Sequence, residues 1–197
     1  AFSQYLDRLS QEPTGANLAL MVGNGTLRAA AMGYQAGPPS PAQLEVMKSL
    51  LHDAMQAGAL GISFGLVYPP SSYANLDEMA ALCSVVAQYD GFAAFHLRNE
   101  GDFFYEAVEE AFETARRSGC RLILSHHKAT REPNWGKTQV TLGMLDLAAA
   151  QGLEVYADAH PYTAVSAGLK AYIPQTLHSM GMEKLTEMGR SAGTRRE

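Results

Sequence analysis

Three strand ends along the chain carry histidine. His96 closes the apolar run Phe92 to Phe95, His126 and Lys128 follow the run Arg121 to Leu124, and Asp158 and His160 follow the run Leu153 to Ala157. Neutral imidazole is the commonest side-chain metal ligand. Two imidazoles from neighbouring strand ends, completed by a carboxylate or thiolate, suit Zn²⁺. A lone strand-end histidine is more often a hydrogen-bonded, partly buried residue. The pairing of His96 with His126 at equivalent places brings the metal reading level with that alternative. Lys128 has two readings: a cation for a carboxylate beside a metal, or a Schiff-base lysine. Asp158 reads as a ligand or base, or equally as a cap for backbone N–H groups. Arg98 and Glu100, just after His96, form a cluster in which the two are expected to pair and orient a ligand from behind.

The remaining candidates read as structural. Strand alternation turns His127 to the face opposite His126, where it packs or meets solvent. His160 precedes Pro161 in a tight turn. His52 sits in a helix and His178 in a loosely patterned tail, and both are expected to be solvated. Gly23-Asn24-Gly25 lacks the glycine pattern and the Lys-Ser/Thr of a phosphate cradle. The methionines fall on helical faces and read as core.

The elements that must position these residues alternate between strand and helix. Leu18 to Val22 reads as a strand ended by Gly23-Asn24-Gly25. Ser40-Pro41 is an N-cap followed by proline at the first helical position. Leu44, Met47, Leu51, Ala54 and Met55 then recur at helical spacing up to Gly58. Leu60 to Phe64 is a strand and 66–73 a Pro/Ser loop. Asn75 with Glu78 resembles a capping box that opens a helix to about Gln88. Helices of about 103–117 and 138–150 follow the strands 92–95 and 121–124, and 153–157 is a fifth strand. A short helix is expected near Met182 to Met188. The spacing of about 30 residues is one βα unit. Right-handed crossovers should make the sheet parallel. Two architectures fit: a doubly wound open sheet, or part of a (β/α)₈ barrel.

The 197 residues are 47% hydrophobic, with a formal net charge of −5. That apolar content supports a core and argues against disorder. A mildly acidic chain without a Lys/Arg block argues against nucleic acid or an anionic membrane as partner. No apolar run approaches the ~18–20 residues needed to cross a bilayer. No basic segment followed by an apolar run opens the chain. Cys83 and Cys120 form no CxxC or ladder, so neither a disulfide scaffold nor a cysteine-rich zinc site is expected. The expected setting is the reducing cytoplasm.

Several motifs, in order along nearly the whole chain, resemble one family. Phe95-His96-Leu97-Arg98-Asn99-Glu100-Gly101 is similar to the H-x-R-N-E segment of the N-acyl-D-amino-acid deacylases (D-aminoacylases), a branch of the amidohydrolase superfamily. Ser125-His126-His127-Lys128 resembles that family's S-H-x-K strand end, with Asn134-Trp135-Gly136 as the N-W-G that follows. Asp158-Ala159-His160-Pro161-Tyr162-Thr163-Ala164 resembles D-x-Y-P-Y-T-A, and Gly61 to Pro70 resembles G-(L/I)-S-x-G-L-x-Y-P-P. Gly25-Thr26-Leu27-Arg28 matches a segment near the third barrel strand. The resemblance implies a zinc-dependent hydrolase on a metal-dependent-hydrolase (β/α)₈ barrel, cleaving the N-acyl amide of small N-acyl-D-amino acids. His96 and His126 fall on its zinc-ligand histidines. Tyr68, Lys128, Tyr162 and Ser166 fall on positions that hold the substrate's carboxylate and carbonyl region. Residues 1–168 would then be the central part of the barrel, about five βα units, family strands three to seven. Residues 169–197 would begin the insertion covering the active site.

The departures are equally specific. The family's His-x-His pair, cysteine ligand and catalytic Asp belong to its first, second and eighth strands, which the resemblance puts outside these residues. Cys83, in mid-helix, and Cys120, at the wrong end of a strand, do not replace that cysteine. Asn24 stands where the family has His, and His160 where it has the first Tyr of Y-P-Y. The absent initial Met and the unfinished tail read as cut ends. The expectation is a chain that needs the other barrel strands and shows little or no deacylase activity alone.

Overall fold

The computed structural model describes residues 2–12, 15–168, 177, 180 and 182–190. They fall in two compact units, Ala1–Tyr162 and Thr163–Glu197. In the first unit, five strands form one parallel sheet: β1 (Val22–Gly23), β2 (Gly61–Gly65), β3 (Phe92–His96), β4 (Arg121–Leu124) and β5 (Val155–Ala157). Each strand pairs with the next one in sequence, in parallel. A doubly wound sheet reverses its strand order at a switch point, and this sheet does not. Right-handed crossovers between consecutive neighbours place every helix on one face. Accordingly α2 (Asn24–Met32), α3 (Pro41–Gln56), α4 (Leu76–Ala87), α5 (Phe104–Ser118) and α6 (Lys137–Ala150) each pack on the next, in a single layer. That winding is the arc of a (β/α)₈ barrel and decides between the two architectures.

The strand faces follow from the period of two. Ile62 and Phe64, Ala93 and Phe95, and Leu122 and Leu124 are buried in the common core with the helices. The Phe64 and Phe95 rings stack at 4.6 Å between centroids. Ser63, Ala94 and Ile123 stand level with one another on the other face, as do Gly65 and His96. Those five residues are only partly buried. Gly61 is dictated by close approach: a Cβ there would lie 1.8 Å from the Phe92 carbonyl oxygen.

Helix ends match their sequence signals with two exceptions. Ser40 caps α3 by accepting from Gln43 N at 3.3 Å, and Gln43 Oε1 accepts from Ser40 N at 2.8 Å. Gly119 closes α5 in the left-handed region, where glycine carries no penalty. Asn75 caps α4 by accepting from Glu78 N at 2.9 Å. The reciprocal half of that box does not form, because the Glu78 side chain turns inward. It forms a fully buried ion pair with Arg28 and accepts from Asn24 Nδ2 at 2.9 Å. Arg28 also donates to the carbonyls of Gly37 and Gln35, and Ser71 Oγ donates to Asn24 Oδ1 at 2.6 Å. Burial pushes the Glu78 carboxyl up from its ordinary value, while Asn24 and Arg28 pull it back.

The second exception is Gly23-Asn24-Gly25, read above as the segment that ends a strand. Gly23 is the extended N-cap of α2, which starts at Asn24. The expected strand Leu18 to Val22 is reduced to Val22–Gly23, although Leu20 O still accepts from Leu60 N at 2.8 Å. Helix α1 (Phe2–Ser10) was also not legible as a helix. In the second unit, α7 spans Met182–Arg190, close to the expected Met182 to Met188. The rest of the stretch expected to begin an insertion, 169–197, lies outside the described residues apart from 177 and 180, and so does His178. Among the described residues, no helix is long and apolar enough to cross a membrane.

The buried pair gives a stability prediction. Glu78→Ala strands the Arg28 charge in the core and should cost about 3–5 kcal/mol. The double variant Arg28→Met/Glu78→Leu should recover most of that loss. Urea unfolding of the two variants checks it; a single variant within about 1 kcal/mol of the wild type would contradict the account.

Candidate metal centre

The C-terminal ends of β3, β4 and β5 meet at one edge of the sheet. The chain leaving β4 turns sharply, with His126 at φ +43°, a conformation a non-glycine residue holds only when its surroundings impose it. Asp158, just past β5, imposes it. Its Oδ1 accepts from His126 N at 2.6 Å, its carbonyl accepts from His127 N at 2.7 Å, and its own N donates to Leu124 O at 3.0 Å. Of the readings open for Asp158, the structure shows the backbone cap. The turn sends the two adjacent imidazoles to opposite sides. His127 goes to the helix layer, with Nε2 2.8 Å from Thr141 Oγ1 and the ring against Phe104. Burial there holds its pKa below the ordinary value. His126 goes to the other side and meets His96 edge to face, 4.5 Å between centroids.

Glu100 completes the group. Its Oε1 lies 2.9 Å from His126 Nδ1 and 2.7 Å from Lys128 Nζ. One donor atom each from His96, Glu100 and His126 falls within 4.8 Å of the other two. All three residues are partly buried. Desolvation, opposed by the Glu100 charge and aided by His126 and Lys128, lowers the pKa of His96. A ring held neutral keeps a lone pair for a metal.

The expected Arg98–Glu100 pair does not form. Leu97 is still buried in the core, but past the end of β3 the chain bends at Arg98 and again at Glu100, so the two side chains do not share a face as they would in a continuing strand. Arg98 Nε instead makes two hydrogen bonds to the Glu110 carboxylate of α5, at 2.9 and 3.1 Å. Its other nitrogens donate to the carbonyls of Ser72 and Ala74, each at 2.7 Å. Arg98 thus braces the loop after β2 rather than the histidines.

That loop carries Tyr68, whose ring lies 5.6 Å from the His96 ring. Beside Tyr68 an open cleft of about 410 Å³ is lined by hydroxyl-bearing and small residues, among them Gly23, Thr26, Ser63, Gly65 and Ser71. Lys128 donates to Glu100 and to the His126 carbonyl, at 2.7 and 3.2 Å. An amine so engaged by a carboxylate suits a cation, not a nucleophile. His160 and Tyr162 are near neighbours, with ring centroids 5.7 Å apart and Tyr162 73% exposed. Ser166 lies in the second unit and is exposed. His52, expected to be solvated, is partly buried, with Nδ1 3.0 Å from the Tyr89 hydroxyl. Cys83 and Cys120 are buried and free.

A singly wound parallel sheet with paired imidazoles and a carboxylate at its C-terminal edge defines a barrel of the metal-dependent hydrolase class. Comparison with known proteins agrees. No protein-family model matches the chain. A D-aminoacylase of Alcaligenes xylosoxydans xylosoxydans is 38% identical over 169 residues, which are 86% of this chain and 35% of that protein. The N-acyl-D-glutamate deacylase of the same organism is 40% identical over 164 residues, 83% of this chain and 34% of that one. Among solved structures, an N-acyl-D-glutamate deacylase from Bordetella bronchiseptica, complexed with zinc and a phosphonate mimic of the tetrahedral intermediate, superposes with a TM-score of 0.79. It is 37% identical, and the match covers 82% of this chain and 34% of that chain. A crystal structure of D-aminoacylase gives the same TM-score, identity and coverage. Over more than four fifths of its own length the chain is therefore a relative of the D-aminoacylases and N-acyl-D-amino-acid deacylases. It spans about a third of the length of the curated relatives it matches.

The donor set fits zinc: two imidazoles side by side, one held neutral by burial, with a carboxylate behind them. The brace on the Tyr68 loop yields its own prediction. Arg98→Ala should speed amide exchange at Tyr73 and Ala74 by tenfold or more, while the middle of α3 keeps its protection. Hydrogen–deuterium exchange by mass spectrometry measures both; equal exchange at Tyr73 and Ala74 in the two proteins would rule the brace out.

Proposed function

We propose that this chain is the part of a zinc-dependent N-acyl-D-amino-acid deacylase that supplies two metal-binding imidazoles and the cation for the substrate's carboxylate. The observation that carries the reading is the meeting of His96 and His126 at 4.5 Å on the C-terminal edge of a parallel sheet. His96 and His126 would hold the zinc. When bound, that ion supplies an activated water and polarises the acyl carbonyl.

The chain's own residues then bind and orient. Lys128, an ammonium beside the histidines, attracts the carboxylate of an N-acyl amino acid. Tyr68, Tyr162 and Ser166 offer hydroxyls to the carboxylate and carbonyl region, an assignment that rests on the family motifs. Arg98 holds the loop of Tyr68, Asp158 holds the backbone of His126, and Glu100 stands against both His126 and Lys128. The general base is assigned to none of these residues. Residues 1–168 are read as barrel and 169–197 as the start of a cover over the active site. The outer edges of β1 and β5, which pair with no further strand among the described residues, are read as taking the remaining barrel strands, since the relatives are about three times as long. Two free thiols are in keeping with the reducing cytoplasm.

The test is metal binding by this chain. Equilibrium dialysis should show saturable Zn²⁺ binding, weakened at least tenfold by His96→Ala and by His126→Ala. Turnover of N-acetyl-D-methionine by the chain alone should be negligible. Zinc binding that ignores both substitutions would overturn the metal assignment, and turnover would overturn the need for other strands.

A further inference from the structure

Glu100 is the most constrained charge at the edge. Its side chain is only 11% exposed, so its carboxylate must be paired. Its backbone is fixed too: the Glu100 carbonyl accepts from Thr130 N at 2.7 Å and from Thr130 Oγ1 at 3.1 Å. Next to it, Asn99 Oδ1 accepts from Gly101 N and Phe103 N, at 2.8 and 3.1 Å. The loop after β4 therefore sets where this carboxylate stands.

His126 Nδ1 faces two groups at once, Glu100 Oε1 at 2.9 Å and Lys128 Nζ at 3.1 Å. They ask opposite things of it. Accepting from the ammonium leaves Nδ1 bare and puts the ring's proton on Nε2, which then cannot bind a metal. Donating to the carboxylate puts the proton on Nδ1 and leaves the Nε2 lone pair open. An ionised carboxylate has no proton to give, so at 2.9 Å the ring nitrogen must be the donor. The spacing also argues against Nδ1 and this oxygen binding one ion together. Two atoms bound to one tetrahedral ion at about 2.0–2.1 Å stand roughly 3.3 Å apart, whereas 2.9 Å is hydrogen-bond spacing. The second lone pair of Oε1 is taken by Lys128.

We propose that Glu100 is a positioning residue shared by two functions: it fixes His126 as the Nδ1–H tautomer, with Nε2 as the metal-binding atom, and it holds the Lys128 ammonium alongside. The proposal rests on the reading of His96 and His126 as zinc ligands. It adds a physical link between metal and anion binding, since both pass through one carboxylate oxygen.

Two readouts on the ¹⁵N-histidine-labelled chain test it. Long-range ¹⁵N–¹H spectra of the metal-free protein report the His126 tautomer, and chelator competition reports Zn²⁺ affinity. The wild type should show Nδ1–H. Glu100→Ala should lose that preference and bind zinc about 10–100-fold more weakly. Glu100→Gln keeps an acceptor oxygen and should retain the tautomer with an intermediate loss. Lys128→Met should keep the tautomer and bind zinc at least as tightly. A wild-type Nε2–H ring overturns the proposal. So does Glu100→Ala with the tautomer kept and zinc affinity within threefold. If Glu100→Ala does not fold by circular dichroism, the other two variants decide: a tenfold loss in Lys128→Met with less than threefold in Glu100→Gln puts the role on the lysine. Failure of the metal reading shows separately, as wild-type zinc binding that is absent or indifferent to His96→Ala. The tautomer, read without metal, still judges Glu100.

Discussion

Consecutive parallel strands joined by right-handed crossovers put their helices on one face only, and that constraint divides the first unit's chemistry. The helix face takes large apolar side chains of the three middle strands, from Ile62 and Phe64 to Leu122 and Leu124. The other face holds the small residues Ser63, Gly65 and Ala94 beside Ile123 and, at the strand ends, polar ones. Smallness there has a use. Gly65 stands level with His96, and a Cβ on it would already touch the Tyr68 ring at 3.5 Å. Tyrosine and imidazole come together because nothing fills the place between them.

A break in that alternation explains how two adjacent histidines take different tasks. The series Leu122 and Leu124 would put His126 on the helix face, yet it is His127 that ends there, against Phe104 and Thr141. The left-handed turn at His126, φ +43°, breaks the period, sends the His126 ring to the other side and brings its backbone N–H to Asp158. That bond ties the end of β4 to the end of β5. A carboxylate two residues before His160 thus serves the histidine of the neighbouring strand.

Much of this was legible in the sequence because the signals were local. Ser40-Pro41, Asn75 and Gly119 fixed helix ends through bonds within a few residues, and a period of two placed His126 and His127 on opposite sides. What was not legible depends on distant partners. Glu78 reads as the third residue of a capping box, yet its side chain is claimed by Arg28, 50 residues away. Arg98 and Glu100 are two apart and of opposite charge, so proximity suggested a pair. The bends past the strand end break the alternation and separate them, and Glu110 of α5 was a partner no spacing rule pointed to. Asn24-Gly25 carries turn residues, and only the burial of Leu27, Arg28 and Met32 makes the following stretch a helix. The choice between barrel arc and doubly wound sheet needed the strand order, which repeat spacing does not contain.

The cations of the first unit are graded by how much of their hydrogen-bonding capacity the fold consumes. Arg28 is wholly buried and spends its terminal nitrogens on Glu78 and two carbonyls. Such a charge can specify a packing but cannot meet a ligand. Arg98, 25% exposed in its side chain, has donors from all three nitrogens on Glu110, Ser72 and Ala74, and is likewise a brace. Lys128 differs. One N–H goes to Glu100 and one to the His126 carbonyl. The third faces His126 Nδ1, and if that nitrogen is itself a donor to Glu100, the ammonium retains one unsatisfied hydrogen at the sheet's edge. A fixed position with one donor in reserve is what recognition of a small carboxylate requires. The fold provides both by letting His126 and Lys128 share one partly buried acid.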